Sequence, residues 1–381
     1  MISEESKIQN PKSKIGVLLV DDSPIALTVL KRMLSTSPDI EVVGTAENGK
    51  EALKLIPILK PAVLCTDLHM PVMDGLELTK EVMRIHPMPI LVLSVSVREG
   101  STNVFKLLEA GAVDVMLKPK GGLESEFEKA KKELVTKIRI IAGVRVFRKF
   151  RKERTSEILE SGMRIAEFKS AIQISKPKII VIGASTGGPQ ALHEILRELP
   201  SDFPLPVICI QHISEGFLKG LVEWLNEQCR VKVRIAEHVE SPLSGTVYFP
   251  QEGTHLKIDS GGRFVCSTDP PIYGHRPSIT VTMRSLVQHY GKDVISVLLT
   301  GMGGDGSEGM LAVQQAGGIT IAQDEKSSVV FGMPKQAIEL GGAQHILPLE
   351  EISNILTNMV ITNSEVNSLL RNPNSKYHKW R

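Results

Sequence analysis

Three polar residues in the second half of this 381-residue chain stand where nucleophilic chemistry is built: Ser185, His212 and Asp305. Ser185 lies in Gly183-Ala184-Ser185-Thr186-Gly187-Gly188-Pro189, between the apolar run Ile179 to Ile182 and a helical pattern from Gln190 to Leu199. A serine on a strand-to-helix turn is exposed at the sheet edge. There it sits beside backbone N–H groups and the positive end of a helix, which favour a developing oxyanion. It is a weak nucleophile without a base. His212 closes the strand-like run Pro206 to Ile210, and Asp305 sits in Thr300-Gly301-Met302-Gly303-Gly304-Asp305-Gly306, after the run Val294 to Leu299. Each of the three thus falls just past the carboxyl end of a separate strand, the edge at which α/β sheets build their sites. Their order along the chain is no obstacle, because a triad is defined by roles. Each residue also has a plainer reading. A glycine-rich turn opening a helix can cradle a pyrophosphate, a lone histidine can be structural, and an aspartate among glycines can simply make a turn. Counting from Gly183, however, Ser185 occupies the place of the second glycine of a dinucleotide fingerprint, so half of that cradle is missing.

A different set of groups marks the first half. Asp21 and Asp22 follow the apolar run Val17 to Val20, Asp67 follows Val63 to Cys65, Ser94 follows Ile90 to Leu93, and Lys118 follows Val113 to Leu117. Three converging carboxylates repel one another unless a hard cation such as Mg²⁺ joins them, held by few protein ligands and several waters. A carboxylate beside such an ion can accept a phosphoryl group, with a lysine and a hydroxyl awaiting the added oxygens, and Asp67 is the candidate acceptor. The plainer reading is that Asp21 and Asp22 cap the helix that begins near Ser23-Pro24.

The elements that must position these groups alternate between short apolar runs and amphipathic stretches, the signature of parallel sheets with helices on both faces. The length suits two domains and a connector. With 42% hydrophobic, 23% charged and 4% aromatic residues the composition is that of an aliphatic α/β protein. A net charge of +2 gives no whole-chain field for nucleic acid, and no separate basic helix-turn-helix follows the first half. Cys65, Cys209, Cys229 and Cys266 show no CxxC spacing, which fits a reducing cytoplasm. The N-terminal Met-Ile-Ser-Glu-Glu-Ser-Lys lacks the features of a leader, and no apolar run approaches the ~20 residues of a bilayer span, so neither export nor membrane insertion is expected. Between Lys120 and Lys178 sixteen Lys/Arg face eight Asp/Glu. The early part, with Leu134, Ile138 and Ile141, reads as the last helix of the first domain. The run from Arg148 to Arg154 reads either as a docking patch for acidic partners or lipids, or as a solvated face.

The segments Leu19-Val20-Asp21-Asp22-Ser23, Asp67-Leu68-His69-Met70-Pro71-Val72-Met73-Asp74-Gly75 and Lys118-Pro119 resemble the response-regulator receiver family. That resemblance implies phosphorylation at Asp67, Mg²⁺ at Asp21, Asp22 and Asp67, and phosphate reading by Ser94 and Lys118. His69 stands where another polar residue is frequent in the family. Gly183 to Pro189, Gln211-His212, Gly274-His275-Arg276-Pro277-Ser278, Gly301 to Gly306 and Phe331-Gly332-Met333-Pro334 resemble, in order, the catalytic domain of the chemotaxis protein-glutamate methylesterases, the CheB family. The implied fold is α/β, an N-terminal flavodoxin-like receiver and a C-terminal doubly wound esterase domain with a mainly parallel sheet. The expected division is a receiver over 14–122, a charged helix and linker over 123–176, a catalytic domain over 177–362 and a tail over 363–381 with a basic, aromatic end. The implied activity is hydrolysis of glutamyl methyl esters on methyl-accepting chemoreceptors, with deamidation of receptor glutamines in some members. Ser185, His212 and Asp305 would be catalytic, and the Met302 N–H would serve an oxyanion hole. His275 and Arg276 belong either to the substrate cleft or to an exposed basic loop. A chemotaxis histidine kinase would be the phosphodonor, the unphosphorylated receiver would cover the esterase cleft, and ester hydrolysis itself would need no cofactor.

Overall fold

The computed structural model describes residues 14–94, 101–119, 124–144 and 177–357. The basic run from Arg148 to Arg154 and the tail from Asn363 lie outside the described residues. The chain divides into two compact units.

In the first half β1 (Ile15–Val20), α1 (Pro24–Ser35), β2 (Ile40–Ala46), α2 (Gly49–Leu59), β3 (Val63–Asp67), α3 (Gly75–Ile85), β4 (Ile90–Ser94), α4 (Ser101–Ala110), β5 (Asp114–Leu117) and α5 (Glu124–Ala142) follow in order. The five strands pair in the order β2-β1-β3-β4-β5, every neighbour parallel. This is the flavodoxin-like order, whose switch point lies between β1 and β3. Burial explains the strand composition. β3 and β4 are covered on both faces and are buried at every residue, whereas the edge strand β2 is only partly so. Helix starts are set by local chemistry. The Ser23 hydroxyl accepts from the Ala26 N–H at the head of α1, and Asp74 and Glu77 form a reciprocal capping box on α3. Leu134, Val135, Ile138 and Ile141 form the buried stripe of α5, spaced as one helix face.

The second half runs β6 (Ile179–Ala184), α6 (Gly188–Leu196), β7 (Val207–Gln211), α7 (Leu218–Gln228), β8 (Lys232–Ile235), β9 (Thr246–Phe249), β10 (His255–Ile258), β11 (Phe264–Ser267), α8 (Ile279–Tyr290), β12 (Val294–Leu298), α9 (Ser307–Gln315), β13 (Ile319–Gln323), α10 (Met333–Glu339) and β14 (His345–Leu347). Seven strands pair in the order β14-β13-β12-β6-β7-β9-β8, and all six pairings are parallel. A parallel sheet needs cover on both faces, and its central strands β6, β7 and β12 are accordingly buried throughout. One core joins Val181 and Ile210 of the sheet to Met283 and Leu286 of α8 and Met310 of α9. The antiparallel pair β10-β11 stands apart from the sheet and packs on this core through Leu256 and Phe264. The chain leaves β6 toward β7 on one side, while β12 lies on the other. The carboxyl ends of these three strands therefore flank a topological switch point. Among the described residues no helix is long and apolar enough to cross a membrane.

Candidate active site and acidic centre

The turn after β6 is shaped by its glycines. The Ser185 carbonyl accepts from the Gly188 N–H at 2.7 Å, closing a tight turn, and Gly187 has φ 77° and ψ 0°. These are the dihedrals of the third position of a type II turn, which require a residue without Cβ. At Gly188 a Cβ would come within 2.0 Å of Gln211 Oε1. The Gly188 N–H is consumed by the turn, so these glycines serve close packing rather than a phosphate cradle.

Neighbouring strand ends tie this turn in place. The Ser185 N–H donates to the Thr300 carbonyl at 3.0 Å. Gln211 Nε2 donates to the carbonyls of Ser185 at 2.8 Å and of His212 at 2.7 Å, bridging the loops that carry serine and histidine. Thr300 Oγ1 donates to the Thr186 carbonyl at 3.0 Å, and the Thr300 N–H is taken by Gln323 Oε1 at 2.8 Å. At Gly301 an added Cβ would lie 2.6 Å from Ser185 Cβ, so only glycine lets the loop after β12 pass beside the serine.

His212 Nε2 lies 3.0 Å from Asp305 Oδ2. The carboxylate only accepts, so Nε2 carries the proton and Nδ1 keeps the lone pair. Nδ1 is buried and has no hydrogen-bond partner among the described residues. Asp305 is itself held by the first turn of α8. The N–H groups of Ile279 and Thr280 donate to it at 2.7 and 3.0 Å, Ser278 Oγ donates at 2.8 Å, and the Gly306 N–H at 3.0 Å. Burial alone would push this carboxyl up, but the His212 bond and these backbone donors outweigh it and hold it well below the usual carboxylate range. The helix terminus adds a favourable positive end. A buried anion thus stands ready behind a histidine.

The sequence-predicted residues Ser185, His212, Met302 and Asp305 come from the loops after β6, β7 and β12. Met302 has an exposed side chain on the loop after Gly301, and its N–H donates to none of the described groups. Arg276 is exposed and donates to the Thr268 carbonyl, whereas His275 is partly buried with its ring against that of His212. Sequence reasoning missed Gln211 as a bridge and Ser278 as a partner of Asp305. A serine after proline ahead of an amphipathic run is a helix N-cap signal that could have marked Ser278. His255 was also missed. It is fully buried, its Nδ1 accepts from the Ser278 N–H and its Nε2 lies 3.1 Å from the Pro270 carbonyl, and no local pattern announces it.

At the carboxyl edge of the other sheet, Asp21, Asp22 and Asp67 each place a carboxylate oxygen within 4.8 Å of the others. Lys118 Nζ lies 2.7 Å from Asp21 and 2.8 Å from Asp67. Burial raises the Asp67 carboxyl above its ordinary value in spite of Lys118, and Asp21 adds to the rise. The negative charge here exceeds what one lysine balances, and the donor set is all oxygen, which fits a hard divalent cation. Ser23 caps α1, while Asp21 Oδ1 accepts from the Ser23 N–H at 3.0 Å, so helix capping does not account for the pair of aspartates. Ser94 is buried at the end of β4, and its carbonyl accepts from the Lys118 N–H at 2.8 Å. A Cβ on Gly75 would meet the Asp67 carbonyl at 2.1 Å, so α3 can begin this close to Asp67 only from a glycine.

Comparison with known proteins gives a consistent picture. Residues 180–356 match the family model for CheB methylesterase, and residues 17–125 match that of the response regulator receiver domain. A protein-glutamate methylesterase/protein-glutamine glutaminase of Nitrosospira multiformis is 37% identical over 352 residues, 92% of this chain and 98% of that protein. One from Carboxydothermus hydrogenoformans is 43% identical over 346 residues, 90% of this chain and 98% of its own length. The crystal structure of the Thermotoga maritima CheB methylesterase catalytic domain is 38% identical, covers 48% of this chain and 99% of that chain, and has a TM-score of 0.47.

Proposed function

The chain belongs to the CheB methylesterase family, with a response-regulator receiver ahead of the esterase domain, and from that premise we propose a phosphorylation-controlled serine hydrolase that demethylates glutamyl esters of chemoreceptors. The observation that supports the chemistry best is the buried line from Asp305 through His212 Nε2 to an unpartnered Nδ1. In this reading Ser185 Oγ attacks the ester carbonyl and His212 Nδ1 takes its proton. Asp305 fixes the tautomer and stabilises the imidazolium. The oxyanion is met by the free Met302 N–H. Collapse of the adduct breaks the C–O bond to methoxide, which leaves as methanol with the proton from Nδ1. Water then adds to the glutamyl-serine ester, again losing a proton to Nδ1. Return of that proton to Ser185 Oγ releases the glutamate carboxylate. Deamidation of a glutamine follows the same course with ammonia leaving, as the printed names of the relatives suggest.

Control resides at the acidic centre. Asp21, Asp22 and Asp67 would hold Mg²⁺, which when bound offsets charge on an incoming phosphoryl group. Asp67 is the acceptor, and Ser94 and Lys118 engage the added oxygens. The phosphoryl group adds about −1.5 to −2 charge to the receiver, and this raises esterase activity. A histidine kinase of a chemotaxis-type pathway supplies it, and receptor adaptation is the outcome. The domain division is a receiver over 14–122, a charged helix and linker to 176, a catalytic domain to 362 and a tail, all in the cytoplasm.

The test is methanol release from a methylated chemoreceptor, with and without a small-molecule phosphodonor and Mg²⁺, with Ser185→Ala as control. Release that needs Ser185 and rises with phosphodonor is expected. No release from a folded protein on a competent substrate would defeat the hydrolase reading, and release indifferent to phosphodonor would defeat the control.

A further inference from the structure

A second imidazole faces His212 and takes no part in the steps above. The rings of His275 and His212 are stacked, with centroids 3.7 Å apart and planes within 3° of parallel. Parallel stacking this close is a specific arrangement, and the loop that delivers His275 is built for it. Ile272 and His275 exchange both backbone hydrogen bonds, at 3.1 and 2.9 Å. Between them Tyr273 and Gly274 have φ of 51° and 79°. Two successive positive φ values define the tightest hairpin turn, and for Tyr273 that backbone is costly. The Tyr273 hydroxyl donates to Glu308 on α9 at 2.8 Å, holding the turn down. At the base of the loop His255 binds the Pro270 carbonyl and the Ser278 N–H, on either side of His275 in the chain.

We propose that His275 is a positioning residue for His212, its ring covering one face of the imidazole so that Nε2 stays on Asp305 and Nδ1 stays free for the serine proton. The proposal rests on the reading of His212 as general base. Stacking restrains rotation of a ring that a single hydrogen bond to Asp305 would leave free to tilt. It also keeps water off the face of the ring that becomes charged in the reaction. That task requires a neutral partner, since a cation stacked there would oppose the imidazolium. The charged groups that act on His275 are His212 and Asp305; its own loop carries Arg276 and Tyr273, the latter bonded to Glu308 of α9, which pairs with Arg284 of α8. Burial and the neighbouring His212 lower the His275 pKa to about 4 against the pull of Asp305, so the ring is neutral near pH 7.

The full-length chain serves for the test, with His275→Ala, His275→Phe and His275→Arg compared in kcat, KM, melting temperature and the imidazole ¹⁵N spectrum of His212. His275→Ala should lower kcat roughly tenfold with KM within about twofold. His275→Phe, which restores a neutral flat ring, should recover most of the loss, and His275→Arg should fall below the alanine variant. The His212 spectrum should show one Nε2–H tautomer in the wild type and a tautomer mixture in His275→Ala. If the wild type releases no methanol, the hydrolase reading is at fault, and the spectra still decide the role of His275. Equal losses in the alanine and phenylalanine variants, or an unchanged His212 tautomer in a folded His275→Ala protein, would overturn the proposal.

Discussion

Asp305 gathers five hydrogen bonds on its carboxylate at the candidate esterase site: one oxygen is shared between His212 and the Ile279 N–H, the other among Ser278, Thr280 and Gly306. An asparagine there would turn an NH₂ toward groups that are themselves donors. Asp305→Asn should therefore lower kcat on the order of a thousandfold or more by upsetting the His212 tautomer. It should also destabilise the domain by roughly 2–4 kcal/mol, read from denaturant unfolding. The pH dependence has a definite sign. The folded pKa of Asp305 lies below its unfolded value of about 3.9, so its stabilisation is complete above that pH and is lost as pH falls through the folded value. Acid unfolding below about pH 4 should accordingly be steeper in the wild type than in Asp305→Asn. The buried thiol of Cys65, raised to about 12, has no comparable role, and a thiol reagent should leave it untouched in the folded protein.

At the scale of elements, the site depends on how closely strand-end loops pass one another. Gly301→Ala would drive a methyl group to 2.6 Å from Ser185 Cβ, and the short turn after β6 has no room to yield. We expect methanol release to fall by at least tenfold, at a cost of about 1–3 kcal/mol in stability measured by chemical denaturation. These loops also show what a sequence can and cannot disclose. Ser185, His212 and Asp305 are legible because each terminates an apolar run, and a parallel sheet sends all such ends to one edge. The acidic centre is legible for the same reason. Gln211, Ser278 and His255 are not, because their partners are set by strand order. Gln211 reaches Ser185 only because β7 pairs with β6, and Ser278 reaches Asp305 only because α8 begins beside the end of β12. His275 could be matched as part of a motif, but a ring-on-ring contact is a property of a hairpin lying across another loop. The two-residue turn at Tyr273-Gly274 places a tyrosine where glycine or asparagine would be expected, so local turn chemistry gave no warning of it.

Taken as a whole, the molecule carries the Ser185-His212-Asp305 set and the acidic centre on separate sheets, and the roles proposed for them should be separable by mutation. Asp67→Asn should keep basal methanol release and lose stimulation by phosphodonor, while Ser185→Ala should lose release and still be phosphorylated, as followed by acid-labile phosphate. Stripping divalent cations with a chelator should mimic Asp67→Asn in the wild type. Stimulation of Asp67→Asn equal to that of the wild type would place the control elsewhere. The all-parallel esterase sheet has a further consequence, in time rather than space. Asp305 is 93 residues beyond His212, and the α8 residues that hold it lie between them. At about 5–20 residues per second a ribosome needs roughly 5–20 s to cover that stretch, and β12 must then thread in beside β6. A nascent chain that has emerged only through Ser185 and His212 therefore lacks the carboxylate that holds His212 Nε2, and this arrangement is complete only once β12 and the loop after it have been synthesised.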